Sequence, residues 1–315
     1  MIKKYKDVQD QLEALKKLGS PLGDSTGFRS LDKLFTLKQG SYTFILGAPH
    51  QGKSELSFEL ALNQVRKYKK RAIISSSETG SVADIYAEII HKVFNRSIYP
   101  SHPMAIDYET FKKAVAYVDN WFSIIDTEEK SYSFGEIFEM RTDEKIILAD
   151  PYNEHKHDMS LYGARQDLYI EDLMGDVRRA NKKMDTHMII TLHPAAQHLK
   201  EEKINGQSVR YYPIPLAREA SGGQSLFRKA MTWINVWRPP VGLKGYHDKP
   251  YEANEMVYMI EKAKPKGVAN KGMGSLYYDF FRSRYYEMIG NNKCGAFQYE
   301  KFPEDSETDN NLPPF

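Results

Sequence analysis

One short segment constrains the fold more than any other part of the chain. It consists of Gly47, Ala48, Pro49, His50, Gln51, Gly52, Lys53 and Ser54. The spacing fits G-x-x-x-x-G-K-S, the pattern of a loop that binds nucleotide phosphates between a strand and a helix. Residues 42–46 are mostly β-branched or aromatic, and residues 55–68 carry apolar side chains at helical spacing. The sequence therefore predicts a triphosphate site at a strand-to-helix turn.

The residues of this loop have separate roles in the pattern. Gly52 lets the backbone approach the phosphates closely, and the first N–H groups of the next helix point at them. Lys53 would reach the β- and γ-phosphates, and Ser54 would place its hydroxyl on Mg²⁺. We therefore expect ATP and Mg²⁺ as the cofactors.

The composition is that of an ordinary globular protein. Of the 315 residues, 27% are charged and 41% are hydrophobic, so the chain can form one large α/β domain or two small ones. The formal net charge is +2, and residues 304–315 alone hold four acids and no bases. Without those four negative charges the rest of the chain carries +6, a mild basic bias that is compatible with nucleic acid.

The cysteine content and the hydropathy bear on where the chain works. Its single cysteine, Cys294, excludes an internal disulfide framework and suggests a reducing compartment. No apolar run approaches 18 residues, so we expect no membrane span and no membrane partner. The first 20 residues contain acids and indicate an exposed amphipathic helix, not a signal peptide. These features favour a cytoplasmic protein.

Strand-like and helix-like segments alternate along most of the chain. After the loop, strands are predicted at 71–79, 121–126, 144–150, 186–193 and 231–239. Helices are predicted at 81–95, 108–118, 133–140 and 164–182. The alternation favours an α/β fold with a mostly parallel sheet, helices on both faces and a ligand at the carboxyl ends of the strands. After residue 250 the pattern changes to a closing antiparallel meander, whereas residues 194–222 show little periodicity.

Three polar residues stand at or just beyond the ends of predicted strands. Asp150 follows four apolar residues and would hold Mg²⁺ through water, or else serve as a turn residue or a helix cap. Glu78 could polarise an attacking water as a general base, or cap the helix that begins near residue 81. His193 could sense the γ-phosphate, although a lone histidine is more often structural.

Several motifs in order resemble one protein family. They are STGFRSLDKLF, the phosphate loop, IISSSET, DPYNE, MIITLHPA, REASGGQSLFRKAMTWINVWRP and IEKAKPKGVANKGMGSLYYDFFRSRYYE. Over roughly residues 24–290 they resemble the helicase domain of RecA-like hexameric replicative helicases, in the DnaB group and, closer in detail, the Twinkle and phage primase-helicase group. The resemblance implies a RecA-like P-loop core with a C-terminal antiparallel hairpin. It also implies an ATP-dependent helicase or translocase on single-stranded DNA, working as a ring, expected to be a hexamer, in a bacterial or phage-infected cell.

The resemblance also implies roles for individual residues. Lys53, Ser54 and Asp150 match the nucleotide and Mg²⁺ ligands, Glu78 matches the catalytic base, and His193 matches the γ-phosphate sensor.

Two lysines match residues that act across a subunit interface. Lys262 and Lys264 would project into the neighbouring subunit's site and stabilise charge there, as an arginine finger does. The family carries arginine where this chain has Lys264, and lysine offers a point charge in place of a planar fork. Arg218 and Arg238 therefore remain alternative fingers. A further hypothesis is that the chain hydrolyses ATP more weakly than the family does.

Candidate DNA-binding residues lie in two polar loops and one glycine pair. The loops at 155–166 and 197–215 follow the fourth and fifth strands, where RecA-like proteins hold their DNA loops. The candidates are Lys156, Arg165, Lys200, Lys203, Arg210, Gly222 and Gly223. Cations beside backbone N–H groups suit phosphate tracking. The alternative is that these are ordinary solvated loops.

The two ends of the chain suggest partners. Residues 1–23 match a linker helix that docks on the next subunit of a ring, or else form a surface helix on their own core. Residues 291–315 form an extension whose acidic end, 304–315, resembles tails that dock replication partners such as a primase, a polymerase or a single-strand-binding protein. The alternatives are a solubilising terminus, or a tail that competes with DNA.

Two other functions remain open on the sequence. The first is a RecA-like DNA-binding ATPase, a recombinase or a loader, that does not unwind DNA. The second is a nucleotide-gated scaffold that binds ATP without productive turnover.

Overall fold

The computed structural model describes residues 2–19, 22–163, 165–246, 248–264 and 269–298. The helices are α1 (Gln9–Leu18), α2 (Arg29–Asp32), α3 (Lys53–Tyr68), α4 (Val82–Phe94), α5 (Tyr108–Trp121), α6 (Phe134–Met140), α7 (Gln166–Met184) and α8 (Gly223–Lys229). The first strands are β1 (Ser41–Leu46), β2 (Ala72–Ser76), β3 (Phe122–Ile124), β4 (Ile146–Asp150), β5 (His187–Leu192) and β6 (Lys200–Ile204). The others are β7 (Gln207–Tyr211), β8 (Thr232–Trp237), β9 (Glu255–Lys262), β10 (Gly272–Asp279), β11 (Arg284–Ile289) and β12 (Asn292–Gly295). None of the described helices is long and apolar enough to cross a membrane.

Ten of the strands form one sheet in the order β12-β11-β10-β9-β8-β1-β5-β4-β2-β3. The six strands from β8 to β3 in this order pair in parallel. The strands from β9 to β12 pair antiparallel, with β9 also antiparallel to β8. The predicted α/β class, the mostly parallel sheet and the antiparallel C-terminal strands are confirmed.

Both faces of the parallel strands are buried, which explains their nearly continuous apolar sequences. Successive residues alternate between two hydrophobic cores, so that Phe44 belongs to one and Ile45 to the other. Helices α3, α4 and α5 contribute to the core that contains Ile45. Helices α6, α7 and α8 contribute to the core that contains Phe44. The parallel part of the sheet is therefore a layer between two helical layers.

The polar region after β5 contains a hairpin that its weak periodicity did not predict. Strands β6 and β7 pair antiparallel and leave most of their side chains exposed. They are joined by Asn205 and Gly206, both with positive φ. Asn-Gly is a strong hairpin signal, because both residues tolerate the left-handed conformation of a tight turn. Ile204 anchors the hairpin on a small core that includes Trp237 and Val257.

The N-terminal helix and the C-terminal strand differ in how they pack on the rest of the chain. No residue of α1 is buried, and Leu12, Leu15 and Leu18 are exposed, so the helix does not pack into the core of its own chain. At the other end, β12 extends the sheet beyond residue 290, and Phe297 packs against Tyr68. The acidic tail at 304–315 lies outside the described residues.

Burial of an unprotonated histidine predicts a pH dependence of stability. His187 is buried, and its ring nitrogens bond the carbonyl of Lys38 at 2.7 Å and the hydroxyl of Thr43 at 3.0 Å. Burial lowers the pKa of His187 to about 4. Because the folded pKa lies below the unfolded value, this stabilisation is complete above about pH 6.5 and is lost as the pH falls towards 4.

We expect the free energy of unfolding to fall by roughly 2 kcal/mol between pH 6.5 and pH 4.5 through His187 alone. Urea titrations of the wild type and of His187→Gln at several pH values isolate this contribution, because the other titrating groups are common to both. The variant should be less stable at pH 7 and should have a shallower pH dependence. Equal slopes would show that His187 is not held neutral.

Candidate active site

The carboxyl ends of the parallel strands bring together the phosphate-loop segment and three of the predicted site residues, Glu78, Asp150 and His193. The loop at 47–54 follows β1, and Glu78 comes two residues after β2. Asp150 ends β4, and His193 comes directly after β5. Since β1, β2, β4 and β5 run in the same direction, these residues converge at one end of the sheet.

The phosphate-loop segment requires glycine at both ends. A Cβ on Gly47 would lie 2.7 Å from Cγ2 of Val236, and a Cβ on Gly52 would lie 2.6 Å from the hydroxyl of Tyr285. Gly52 also has a φ of +89° and directly precedes α3, whose first residue is Lys53. The free N–H groups at the start of this helix favour an anion. The loop thus has the close backbone approach that a polyphosphate needs.

Glu78 lies between two nitrogen groups. The ammonium of Lys53 donates to Oε2 of Glu78 at 2.8 Å, and Nε2 of His193 lies 2.6 Å from Oε1. Burial acts to raise the pKa of Glu78, but the hydrogen bonds and charges of Lys53 and His193 outweigh it and hold the pKa below its usual value. Ser81, not Glu78, caps α4 through its side chain. The contacts therefore favour the catalytic interpretation of Glu78 over the capping one.

Asp150 is surrounded by hydroxyl groups. Its carboxylate accepts from Ser54 and from Ser76, each at 3.2 Å, and from Thr191. Its side chain is almost completely buried. Mg²⁺ in nucleotide sites takes one or two protein oxygen ligands together with phosphate oxygens. Ser54 and Asp150 are a donor set of that kind, and the residues present fit Mg²⁺ and a triphosphate.

Arg238 lies beside the phosphate loop of its own chain. Its backbone N–H donates to Oε1 of Gln51, and its guanidinium group lies over the ring of Tyr278 at 5.3 Å and near that of Phe280 at 6.0 Å. Such cation–π contacts hold the guanidinium in place. This position argues against Arg238 as a finger for a neighbouring subunit. Arg218, the other alternative, is exposed in a short turn before α8.

The two candidate trans-acting lysines lie at the opposite end of the sheet. Strand β9 runs antiparallel to β8 and pairs Lys262 with Trp233, near the start of β8. The ammonium of Lys262 donates to the carbonyls of Phe227 and Arg228 within its own chain, whereas Lys264 is exposed. Of the two, Lys264 is therefore the one whose side chain is directed to solvent.

The candidate DNA-binding cations differ in how they are engaged. Arg165 pairs with Asp167 at 2.7 Å, and Arg210 pairs with Glu201 at 3.0 Å. The remaining three, Lys156, Lys200 and Lys203, are exposed. Their loops follow β4 and β5, at the same end of the sheet as Glu78.

The two glycines of the Ser-Gly segment are required by the backbone. Gly222 has a φ of +68°, and a Cβ on Gly223 would lie 2.3 Å from the carbonyl oxygen of Ala217. Both stand at the start of α8.

Comparisons with known proteins fit this geometry. No family model matches the chain. The ATPase domain of G40P superimposes with a TM-score of 0.68 at 14% identity, covering 92% of this chain and all of that domain. A DnaB-like replicative helicase, in a structure concerned with its interactions with primase, gives 0.64 at 14% identity and covers 90% of this chain and 67% of that one. The RadB recombinase gives 0.50 at 13% identity and covers 82% and 97%.

The chain has the RecA-like fold of DnaB-type helicase domains. A Twinkle homolog from Arabidopsis thaliana, described as chloroplastic/mitochondrial, is 24% identical over 203 residues. The chain spans 28% of the length of that protein, and the match covers 60% of this chain. The resemblance seen in the motifs is thus confirmed for the RecA-like fold.

Three residues that contact the candidate site could not be identified from the sequence. Thr191 and Ser76 bond Asp150, and the hydroxyl of Tyr285 lies 3.4 Å from the carbonyl oxygen of Gly52. The two hydroxyl residues sit inside apolar strands, where only the pairing of β2, β4 and β5 brings them to Asp150. Tyr285 reaches the loop from the antiparallel strand β11, which the loop motif does not include.

The position of Glu78 predicts a separation of binding from turnover. Glu78→Gln keeps the shape of the side chain and removes its ability to accept a proton, so ATP binding should persist while hydrolysis slows about 10²- to 10⁴-fold. Lys53→Ala should lose hydrolysis as well, because it removes the cation that faces the phosphates. Binding of a fluorescent ATP analogue and phosphate release measure the two properties.

The matched control is Glu139→Gln, the same change at an exposed position of α6. It should hydrolyse ATP like the wild type. Hydrolysis by Glu78→Gln at the wild-type rate would exclude Glu78 as the base.

Proposed function

We propose that the chain is an ATP-driven translocase or helicase on single-stranded DNA that acts as a closed ring, expected to be a hexamer. The observation that carries this proposal is the joining of Lys53, Glu78 and His193 in one hydrogen-bonded group, beside the pair of Ser54 and Asp150. The RecA-like fold and the DnaB-type neighbours support it.

The contacts of Glu78 suggest how the site responds to its nucleotide. Bound ATP and Mg²⁺ supply the phosphoanhydride bond and the charge neutralisation that hydrolysis needs. Lys53 is the cation placed to meet the phosphates, and its turning towards them removes a positive charge from Glu78. The pKa of Glu78 then rises towards its usual value, because one of the groups that lowers it has left. A carboxylate with a higher pKa accepts a proton more readily, so the loss of the Lys53 contact favours the role of Glu78 as a base.

A physical connection from Glu78 towards the candidate DNA segment supports a DNA-linked ATPase. His193 bonds Glu78, and the next residue, Pro194, forms a backbone bridge with Ala220. The N–H of Ala195 donates to the carbonyl of Glu219 at 2.6 Å. Gly222 and α8 follow directly. A few bonded residues therefore connect Glu78 with the glycine segment, and we propose that they transmit a change at the nucleotide site to it.

The unwinding activity needs its own test. We expect ATP-dependent displacement of a labelled strand from a forked DNA duplex by the wild type, and none by Lys53→Ala. The RadB neighbour favours the alternative of a DNA-dependent ATPase without unwinding. Turnover stimulated by single-stranded DNA without strand displacement would support that alternative. ATP binding without turnover, with or without DNA, would support a nucleotide-gated scaffold.

Assembly is part of the proposal because Lys264 lies at the end of the sheet away from its own phosphate loop. We propose that Lys264 stabilises transition-state charge in the site of a neighbouring copy.

Mixing inactive chains tests this role. Chains carrying Lys264→Ala and chains carrying Lys53→Ala should each hydrolyse ATP poorly, while mixtures regain part of the activity. Some interfaces then combine an intact phosphate loop with an intact Lys264. The matched control replaces Lys264→Ala with Lys244→Ala, an exposed lysine outside the proposed site. Absence of recovery at every ratio, in assemblies shown to contain both chains, would contradict a role in trans.

The termini extend the proposal to partners. The exposed leucines of α1 suit docking on a second copy, as a linker helix in a ring would require. We further propose that the acidic tail at 304–315 binds a replication partner such as a primase, a polymerase or a single-strand-binding protein, in a bacterial or phage-infected cell. The DnaB-like helicase that shares this fold is described with primase interactions.

A further inference from the structure

Strand β9 ends in a β-bulge at Glu261. Trp233 of β8 pairs with Lys262, but the next residue of β8, Ile234, pairs with Ile260, so Glu261 is an extra residue in the ladder. In a regular strand, neighbouring side chains point to opposite faces of the sheet. A bulge changes this alternation and can redirect a side chain. Here it lets both Glu261 and Lys262 contact the same neighbouring segment, residues 217–228.

Glu261 holds the beginning of that segment. Oε2 of Glu261 accepts from the backbone N–H of Ala217 at 2.9 Å and from the side-chain amide of Asn235 at 2.8 Å. Asn235 is buried, and its own oxygen accepts from the indole of Trp233 at 2.7 Å. The carboxylate is thus fixed by β8 while it binds the turn before α8.

Lys262 holds the end of the same segment. Its ammonium donates to the carbonyls of Phe227 and, at 2.9 Å, of Arg228, in the last turn of α8. It also lies 5.0 Å from the centre of the Phe227 ring. A cation at the carboxyl end of a helix satisfies free carbonyls and complements the helix dipole. The end of α8 is therefore attached to β9.

We propose that Glu261 and Lys262 are positioning residues that clamp residues 217–228, with the Gly222–Gly223 turn, to the strand that leads to Lys264. The clamp makes the candidate DNA segment and the exposed lysine move as one unit. DNA contact at the glycine turn would then shift Lys264 in the neighbouring site. This coupling rests on the proposed function, whereas the clamp itself is a property of the single chain.

The charges around the clamp fit this arrangement. Burial, and then the charge of Lys264, lower the pKa of Lys262 to about 8. The ammonium group of Lys264 thus acts on the pKa of Lys262, and Lys262 is the one that donates to the carbonyls of α8 among the described contacts. The charged groups around the segment include Arg218 and Glu219 at its start, Arg228 and Lys229 at its end, Glu171 of α7 and Glu261 of β9. Arg228 and Lys229 face Glu171 of α7, which leaves Lys262 to bond the helix carbonyls.

Amide hydrogen exchange of the full-length chain, without DNA or nucleotide, tests the clamp. Glu261→Ala should speed exchange in residues 217–229 about tenfold, the effect of losing a hydrogen bond of roughly 1.4 kcal/mol. Glu261→Gln keeps an acceptor oxygen and should stay within about twofold of the wild type. Lys262→Met, a second and independent variant, should loosen α8 as well. Glu252→Ala, a change at an exposed residue just before β9, is the matched control and should have no effect.

ATP hydrolysis with and without oligodeoxythymidine tests the coupling. Glu261→Ala should keep the basal rate and the KM for ATP, while its kcat in the presence of DNA falls about tenfold. Glu261→Gln should keep the stimulation by DNA. A merely structural role would instead change the basal rate or the KM.

The possible results test the clamp, the coupling and the proposed function separately. Unchanged exchange in both Glu261→Ala and Lys262→Met would overturn the clamp. Faster exchange with normal DNA stimulation would overturn the coupling. A wild type that hydrolyses ATP without any response to DNA would overturn the proposed function and the coupling with it, whereas the exchange result would still stand for the clamp.

Discussion

Six parallel strands place their carboxyl ends at one end of the sheet, and the candidate catalytic groups around the phosphate loop depend on that constraint. Lys53, Glu78, Asp150 and His193 lie at or beyond the ends of four different strands, yet they belong to two hydrogen-bonded groups beside each other. Because both faces of these strands are buried, polar side chains for a site are tolerated mainly where the strands end. The same packing that forms the core therefore positions the chemistry.

The antiparallel strands position the helix that follows the phosphate loop. Glu59 of α3 is fully buried and bonds the guanidinium group of Arg284 of β11 through two contacts of 2.7 Å. Burial acts to raise the pKa of Glu59, but Arg284, together with Lys92 and the backbone N–H of Tyr285, outweighs it and holds the pKa below its usual value. Buried ion pairs add little net stability and more orientation. With Tyr285 packed at Gly52, β11 fixes both the start and the middle of α3.

Local sequence signals were sufficient for the fold and for part of the site. Short segments of sequence identify the phosphate loop, the apolar strands and the polar residues at the strand ends. The α/β class was therefore predictable, and Glu78, Asp150 and His193 could be singled out. The hairpin at 200–211 carried a local signal too, in Asn205 and Gly206, but the surrounding polarity concealed it. Glu261 could not be found in this way, because its role depends on a bulge and on contacts with Ala217 and Asn235. Nor does sequence spacing reveal that Arg238 packs beside its own loop.

Under the proposed function, the direction of β9 explains why ATP hydrolysis would require several copies of the chain to assemble. Because β9 runs antiparallel to β8, its last residues lie at the opposite end of the sheet, and the length of a strand separates Lys264 from the phosphate loop of its own chain. Lys262, two residues earlier, is committed to α8. One chain therefore has the phosphate-loop segment, the candidate base and the candidate metal ligands, but its Lys264 lies at the other end of the sheet. A second copy that brings its Lys264 to this site would complete the site. Under the proposed coupling, the position of that Lys264 would depend on the DNA segment of the second copy.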